Sequence, residues 1–192
     1  MINTTLPIYL ASQSPRRKKL LEQINLKFSV TVVHTPERMK KGELPVDTCR
    51  RISLEKIEAA KKIIEKGIII TADTIVVIDN QILGKPKNKK DAFRILKMLS
   101  GRTHEVYTGF SLFNSEKGKT ITGYERTSVK FRKLEDDEIT NYINSGSPMD
   151  KAGAYGIQDD YGAVFVEKIT GCYYNVVGLP LAKIYKNLLR IV

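Results

Sequence analysis

The chain has few of the residues that build disulfide frameworks or metal knuckles. Its two cysteines, Cys49 and Cys172, stand apart without paired spacing, and His34 and His104 are its two histidines. A disulfide-stapled scaffold and a histidine-rich metal site are therefore excluded, and a reducing cytoplasm is the simplest setting. No apolar run reaches the roughly 18 residues needed to span a bilayer, and the N-terminus lacks the basic-then-apolar pattern of a signal peptide. Internal repeats, low-complexity tracts and Pro/Ser-rich linkers are missing too. Residues 1–192 therefore read as a single domain, with room for two lobes and a substantial core.

Positive charge is abundant. The formal net charge is +11, from 32 Lys and Arg against 21 Asp and Glu. Such a balance favours anionic partners, whether nucleic acid, a nucleotide or a bare polyphosphate. Much of the lysine is scattered over helices as on an ordinary solvated face. Lys61-Lys62 and the Lys87 to Lys90 stretch have no interleaved aromatics of the kind a single-strand groove uses, so nucleic-acid binding is not expected.

Strand and helix patterns alternate. Strands are predicted at about 6–11, 28–33, 68–78 and 163–169, with a strand-rich stretch over 103–131; helices are predicted at about 15–24, 47–66, 89–99, 135–144 and 180–190. This is an α/β order with an antiparallel insertion. Punctuation agrees with it: Asp47 is a candidate cap for the second helix and Gly67 its stop, Asn88 caps the third with Gly101 after it, and Pro180 opens the last. Asp79-Asn80 reads as a hairpin turn. The longest irregular stretches, 34–46 and 145–162, are where function is expected.

Three features carry chemistry. In Leu10-Ala11-Ser12-Gln13-Ser14-Pro15-Arg16-Arg17 a short buried strand gives way to a helix, with Ser14 as N-cap and Pro15 at the first helical position. Free N–H groups at that helix start, plus the forks of Arg16 and Arg17, suit a phosphate; a capped helix with two solvated arginines is the plainer alternative. Asp73 lies in the middle of the most hydrophobic strand, Ile68 to Ile78. A carboxylate there needs a cation or donors, so it is a metal ligand or general base, part of a structural salt bridge, or exposed at a turn. Lys56 shares a helix face with Cys49, Ile52, Ala60 and Ile63, from which it either snorkels to water or reaches a buried anion. Lys85 is held between Gly84 and Pro86, and Gln158 ends a glycine-containing loop and offers both donor and acceptor for a nucleobase edge. Glu37, after the second strand, is a further candidate carboxylate for a divalent cation.

Several segments taken in order resemble the Maf family of nucleoside triphosphate pyrophosphatases over essentially the whole chain. They are Leu10 to Arg17, Ala72-Asp73-Thr74, Gly84-Lys85-Pro86, Ser100-Gly101-Arg102-Thr103-His104, Asp150-Lys151-Ala152-Gly153-Ala154-Tyr155-Gly156-Ile157-Gln158 and Asn175-Val176-Val177-Gly178-Leu179-Pro180. The resemblance implies an α/β fold with a mixed central sheet flanked by helices and two lobes with a cleft, akin to the inosine triphosphate pyrophosphatases, and a cytoplasmic homodimer. It implies cleavage of a nucleoside triphosphate between the α and β phosphates with a divalent metal cation, Mg2+ or Mn2+. Arg17, Thr74 and Gln158 match the specificity residues of the branch acting on dTTP and UTP, rather than those of the branch acting on 7-methyl-GTP.

On this reading Ser12, Arg16, Lys56 and Lys85 hold the triphosphate. Glu37 and Asp73 bind the metal, and Asp73 activates water. Two departures stand out: Asp159-Asp160-Tyr161 makes the loop after Gln158 one residue longer than the family pattern, and Pro36-Glu37 replaces an aspartate-glutamate pair. A regulator of septum formation, acting by protein or nucleic-acid binding, is the competing function.

Overall fold

Apolar side chains on both faces make Ile68–Ile78 an interior strand, and the rest of the sheet assembles around it. The computed structural model describes residues 2–158 and 160–192. Its strands are β1 (Ile8–Ala11), β2 (Ser29–Thr31), β3 (Ile68–Ile78), β4 (Gln81–Leu83), β5 (Thr103–Asn114), β6 (Lys119–Phe131) and β7 (Val166–Thr170). Its helices are α1 (Pro15–Gln23), α2 (Pro45–Ala60), α3 (Lys89–Leu99), α4 (Asp136–Asn144), α5 (Asp160–Phe165), α6 (Tyr173–Val177) and α7 (Leu181–Ile191). The seven strands form one sheet in the order β2-β1-β3-β5-β6-β7, with β4 added to β3. β1 runs parallel to both β2 and β3, while β3–β4 and β6–β7 are antiparallel. The expected mixed-sheet α/β architecture is therefore present.

Two compact units divide the chain. The first comprises Met1–Asp73, Thr108–Glu125 and Gly178–Val192, and the second Thr74–Tyr107 and Arg126–Val177. In the first, Leu10, Ala11, Leu21, Ile52, Ile57, Ile68, Ile69 and Ile70 are fully buried. In the second, edge-to-face aromatics dominate: Phe131 meets Tyr155 at 4.7 Å between centroids and Phe165 at 6.1 Å, and Tyr142 meets Phe165 at 5.1 Å. Among the described residues, no helix is long and apolar enough to cross a membrane.

Two expected helix caps and one expected hairpin turn are present. Ser14 Oγ accepts from Arg17 N at 3.4 Å and Asn88 Oδ1 from Asp91 N at 2.9 Å, so both caps form as expected. Asp79 and Asn80 take φ of 48° and 60°, both left-handed, closing the tight hairpin between β3 and β4.

Several expectations need correction. The second helix starts at Pro45, with Leu44 as its N-cap, because proline's missing N–H suits the first helical position; Asp47 instead adds a favourable charge to the first turn. It ends at Ala60 rather than 66, where bonds from Lys62 N to Ala59 O (3.3 Å) and Ile63 N to Ala60 O (3.1 Å) tighten the last turn. Ile63 consequently leaves the buried face and is 58% exposed, whereas Ile64 folds back onto Ala11, Ile57, Ala60 and Ile69. Gly67 does not stop that helix. At φ +148° it lets the chain pass against β1, where a Cβ would lie 2.7 Å from both Pro7 O and the Tyr9 ring.

The expected strand over 163–169 begins only at Val166, since Ala163, Val164 and Phe165 complete α5. Phe165 is drawn fully into the aromatic core, and Gly162 packs so closely that a Cβ would sit 2.4 Å from Gly156 O. Pro180 is the N-cap of α7 rather than its first residue, and α6 precedes it unforeseen.

Candidate active site

The turn after β1 is built by hydroxyls. Ser12, 8% exposed, accepts from Ser14 N at 3.2 Å and from Arg17 Nη1 at 3.3 Å. Arg17 also donates Nε to the Gly178 carbonyl at 2.8 Å, across 161 residues of chain. Its guanidinium thus uses two different nitrogens to tie the start of α1 to the segment before α7. Burial lowers the Arg17 pKa, the carboxylates of Asp73 and Glu37 oppose this, and neighbouring Arg16 reinforces it. Arg16 is half-buried in the first turn of α1. The plainer alternative of two solvated arginines does not hold for Arg17.

Asp73 is 6% exposed at the heart of β3, and its partner is Lys56, itself 7% exposed on α2. Lys56 Nζ donates to Asp73 Oδ1 at 2.8 Å and to the Ala72 carbonyl at 3.3 Å, and pairs with Glu37 Oε1 at 2.7 Å. Three acceptors engage the three N–H bonds of the ammonium. Lys56 therefore reaches a buried anion instead of snorkelling, and the turn-exposed alternative for Asp73 falls away. Burial raises the Asp73 carboxyl above the usual range; Lys56 opposes the rise, Glu37 adds to it, and Arg17 opposes it. Two carboxylates and two cations from β3, the 34–46 loop, α2 and α1 thus share one electrostatic neighbourhood.

Glu37 and Asp73 contact the same ammonium, so their oxygens face a common point. Hard oxygen donors of this kind fit Mg2+ or Mn2+. Among the described residues no group of three or more His, Cys, Asp and Glu is placed to hold a metal ion, so a cation here would complete its shell with water or phosphate oxygens, as Mg2+ commonly does. Burial, helped by the Asp73 charge, pushes the nearby Cys49 thiol up to about 12, which leaves it protonated and unfit as a nucleophile.

The structure thus gathers Ser12, Arg17, Glu37, Lys56 and Asp73 within the first unit, with Arg16 alongside. Thr74, Lys85 and Gln158 belong to the second. Thr74 is half-buried on β3, Lys85 is exposed in the turn after β4, and Gln158 is half-buried beyond a single-turn 3-10 helix at Ala152–Ala154. Gly153 N donates to Gly84 O at 3.2 Å, which joins the Lys85 turn to the loop that leads to Gln158. The lengthened loop lies partly outside the described residues, at Asp159. Sequence reasoning missed the carbonyls of Ala72 and Gly178 as partners of Lys56 and Arg17, since no side-chain pattern reports a backbone acceptor. Both nevertheless lie within the motifs Ala72-Asp73-Thr74 and Asn175 to Pro180.

Comparison with known proteins adds four findings of one kind. The family model described as Maf-like protein matches residues 7–191. A protein of Chlorobium phaeovibrioides described as dTTP/UTP pyrophosphatase is 46% identical over 189 residues, covering 96% of this chain and 97% of its own. Proteins of the same description from Bacillus cytotoxicus (49% over 179 residues, 93% and 92% covered) and Clostridium perfringens (48% over 183 residues, 94% and 95% covered) are equally similar.

Proposed function

The chain belongs to the Maf family, and on that premise we propose that it is a cytoplasmic nucleoside triphosphate pyrophosphatase that hydrolyses dTTP and UTP to the monophosphate and pyrophosphate. The observation that carries this reading is the buried Asp73 carboxylate, set beside Lys56, Glu37 and Arg17 within a basic chain. Relatives of nearly the same length that are described as dTTP/UTP pyrophosphatases support the substrate class.

In this mechanism Ser12, Arg16 and Lys56 hold phosphate oxygens, and Lys85 of the second unit is assigned to the same task. Lys56 also bridges Glu37 and Asp73, its ammonium offsetting the repulsion between two neighbouring carboxylates. A divalent cation held by Glu37 and Asp73 supplies Lewis-acid polarisation and charge neutralisation at the phosphates. Asp73 Oδ takes the proton of the attacking water; the water oxygen bonds to the α-phosphorus, and the bond from that phosphorus to the oxygen bridging to the β-phosphate breaks, so that oxygen leaves with pyrophosphate. Gln158 reads the pyrimidine edge, with Thr74 and Arg17 shaping its surroundings, because hydrogen-bonding groups left unpaired by a wrong base penalise it. The assembly is assigned as a homodimer, which sedimentation equilibrium tests.

Pyrophosphate release across a panel of canonical and modified triphosphates, with and without Mg2+ or Mn2+, tests the proposal. dTTP and UTP should turn over at least about tenfold faster than GTP. Equal rates on dTTP and GTP would overturn the substrate assignment, and no pyrophosphate from any triphosphate would overturn the reaction.

A further inference from the structure

Glu37 lies in a segment without regular structure, and its side chain is 45% exposed. A carboxylate so placed should wander, yet it meets Lys56 at 2.7 Å. The restraint comes from one guanidinium on α2. Arg51 donates Nε to Glu43 Oε1 at 2.7 Å and Nη2 to Glu43 Oε2 at 2.6 Å, a bidentate fork. The same Nη2 reaches the carbonyl of Arg38, the residue after Glu37, at 2.9 Å, and Nη1 meets Glu55 Oε1 at 2.9 Å. Thr48 Oγ1 adds a bond to Glu43 Oε2 at 2.9 Å.

The loop is thus stapled at both ends. Between the staples it turns through Gly42 at φ +79°, with Glu43 N donating to Lys40 O at 3.2 Å. Exposed ion pairs commonly contribute little, but the Arg51 and Glu43 side chains are only 18% and 17% exposed and form a network with bidentate geometry. Arg51 holds the Glu43 carboxyl down to about 2, with Thr48 assisting and burial opposing, so the staple stays charged across the physiological range. Lys56 stands on the same helix as Arg51. One rigid element therefore carries both the ammonium that Glu37 meets and the anchor of the loop that delivers it.

We infer that Arg51 and Glu43 are a positioning pair that sets Glu37 against Asp73 and thereby fixes the affinity of that carboxylate pair for its divalent cation. The inference rests on the metal-site reading above. It predicts a defect in metal binding rather than in the chemical step.

Mn2+ alone, titrated into the full chain without nucleotide and followed by calorimetry, is the test, alongside amide hydrogen exchange over residues 36–43. Arg51→Lys keeps the charge but loses the fork; Glu43→Gln keeps the shape but loses the charge, and it serves if the first variant folds poorly. Each should weaken Mn2+ binding about tenfold, the scale of lost outer-sphere support at metal sites. Each should also speed exchange over 36–43, while kcat on dTTP at saturating Mn2+ stays within about twofold, because the pair touches neither the substrate nor the reacting atoms. Glu37→Gln is the comparator and should lose Mn2+ affinity without loosening the loop. Weakened binding in Glu37→Gln with parental binding in both staple variants overturns the inference alone. Parental binding in Glu37→Gln overturns the metal-site reading, and the inference with it.

Discussion

Replacing Lys56 with methionine would leave the Asp73 carboxylate, 6% exposed, without the ammonium that sits 2.8 Å away. Breaking a buried pair by removing one partner costs about 3–5 kcal/mol, because the remaining charge stays desolvated. Glu37 adds little to that cost, since its side chain is 45% exposed and water replaces the lost partner. Arg17 shares the neighbourhood and offsets part of the loss, which places the expected penalty near the lower bound, at about 3 kcal/mol. For a chain of this size that corresponds to a fall in Tm of about 6–12 °C.

The penalty should depend on pH in a definite sense. Burial already raises the Asp73 carboxyl above its ordinary value, and removal of Lys56 takes away the largest opposing influence. A carboxyl whose folded pKa exceeds its unfolded one binds protons on folding, so its unfavourable contribution grows as pH rises from the unfolded value through the folded one. Thermal melts of Lys56→Met should therefore show the full loss near about pH 8 and a smaller one near about pH 5, where Asp73 is increasingly protonated. Adding Asp73→Asn to Lys56→Met should restore most of the stability, since the orphaned charge is then gone. A Lys56→Met protein that melts with the parent at the higher pH, or whose deficit is equal at both, contradicts the buried-pair account.

Other perturbations separate the remaining roles. Asp73→Asn should cut kcat for pyrophosphate release by about a thousandfold at temperatures where the variant is still folded, and undiminished turnover would remove Asp73 from the mechanism. Arg17→Lys cannot span Ser12 Oγ and the Gly178 carbonyl together, so the dTTP preference over GTP in steady-state kcat/KM should narrow about tenfold. His104, 1% exposed, bonds Tyr155 Oη through Nε2 at 2.8 Å while its Nδ1 has no partner among the described residues, and burial pushes its pKa down to about 4 from the ordinary 6.5. With its folded value depressed, its share of stability is complete above about pH 6.5 and is lost as pH falls towards about 4, some ~3 kcal/mol in all. Urea midpoints measured across that window should fall accordingly, and His104→Leu should flatten the acid limb.

How much of this molecule can be read from its sequence depends on how far apart the cooperating residues lie. Ser14, Pro15, Asn88 and the Asp79-Asn80 turn act on backbone within four residues of themselves, so composition and spacing reveal them. Asp73 and Lys56 were visible for a different reason: each is a charge set among apolar neighbours, and a buried charge demands a counter-charge whose identity the pattern does not supply. That Lys56 answers Asp73 across 17 residues, and that Arg17 anchors on a carbonyl 161 residues away, follows only once the sheet order is known. Gly67 and Phe165 mark the same boundary from the other side. Helix-stop and strand-propensity rules assigned them locally, whereas close packing on Tyr9 and the pull of an aromatic core decided them. The Arg51 staple is the sharpest case, because only its i,i+4 contact with Glu55 follows a helical rule. Its contacts with Glu43 and the Arg38 carbonyl close a loop that has no periodicity to read. The residues that carry charge into the core are therefore legible one at a time, and the geometry that makes them a site is a property of the fold.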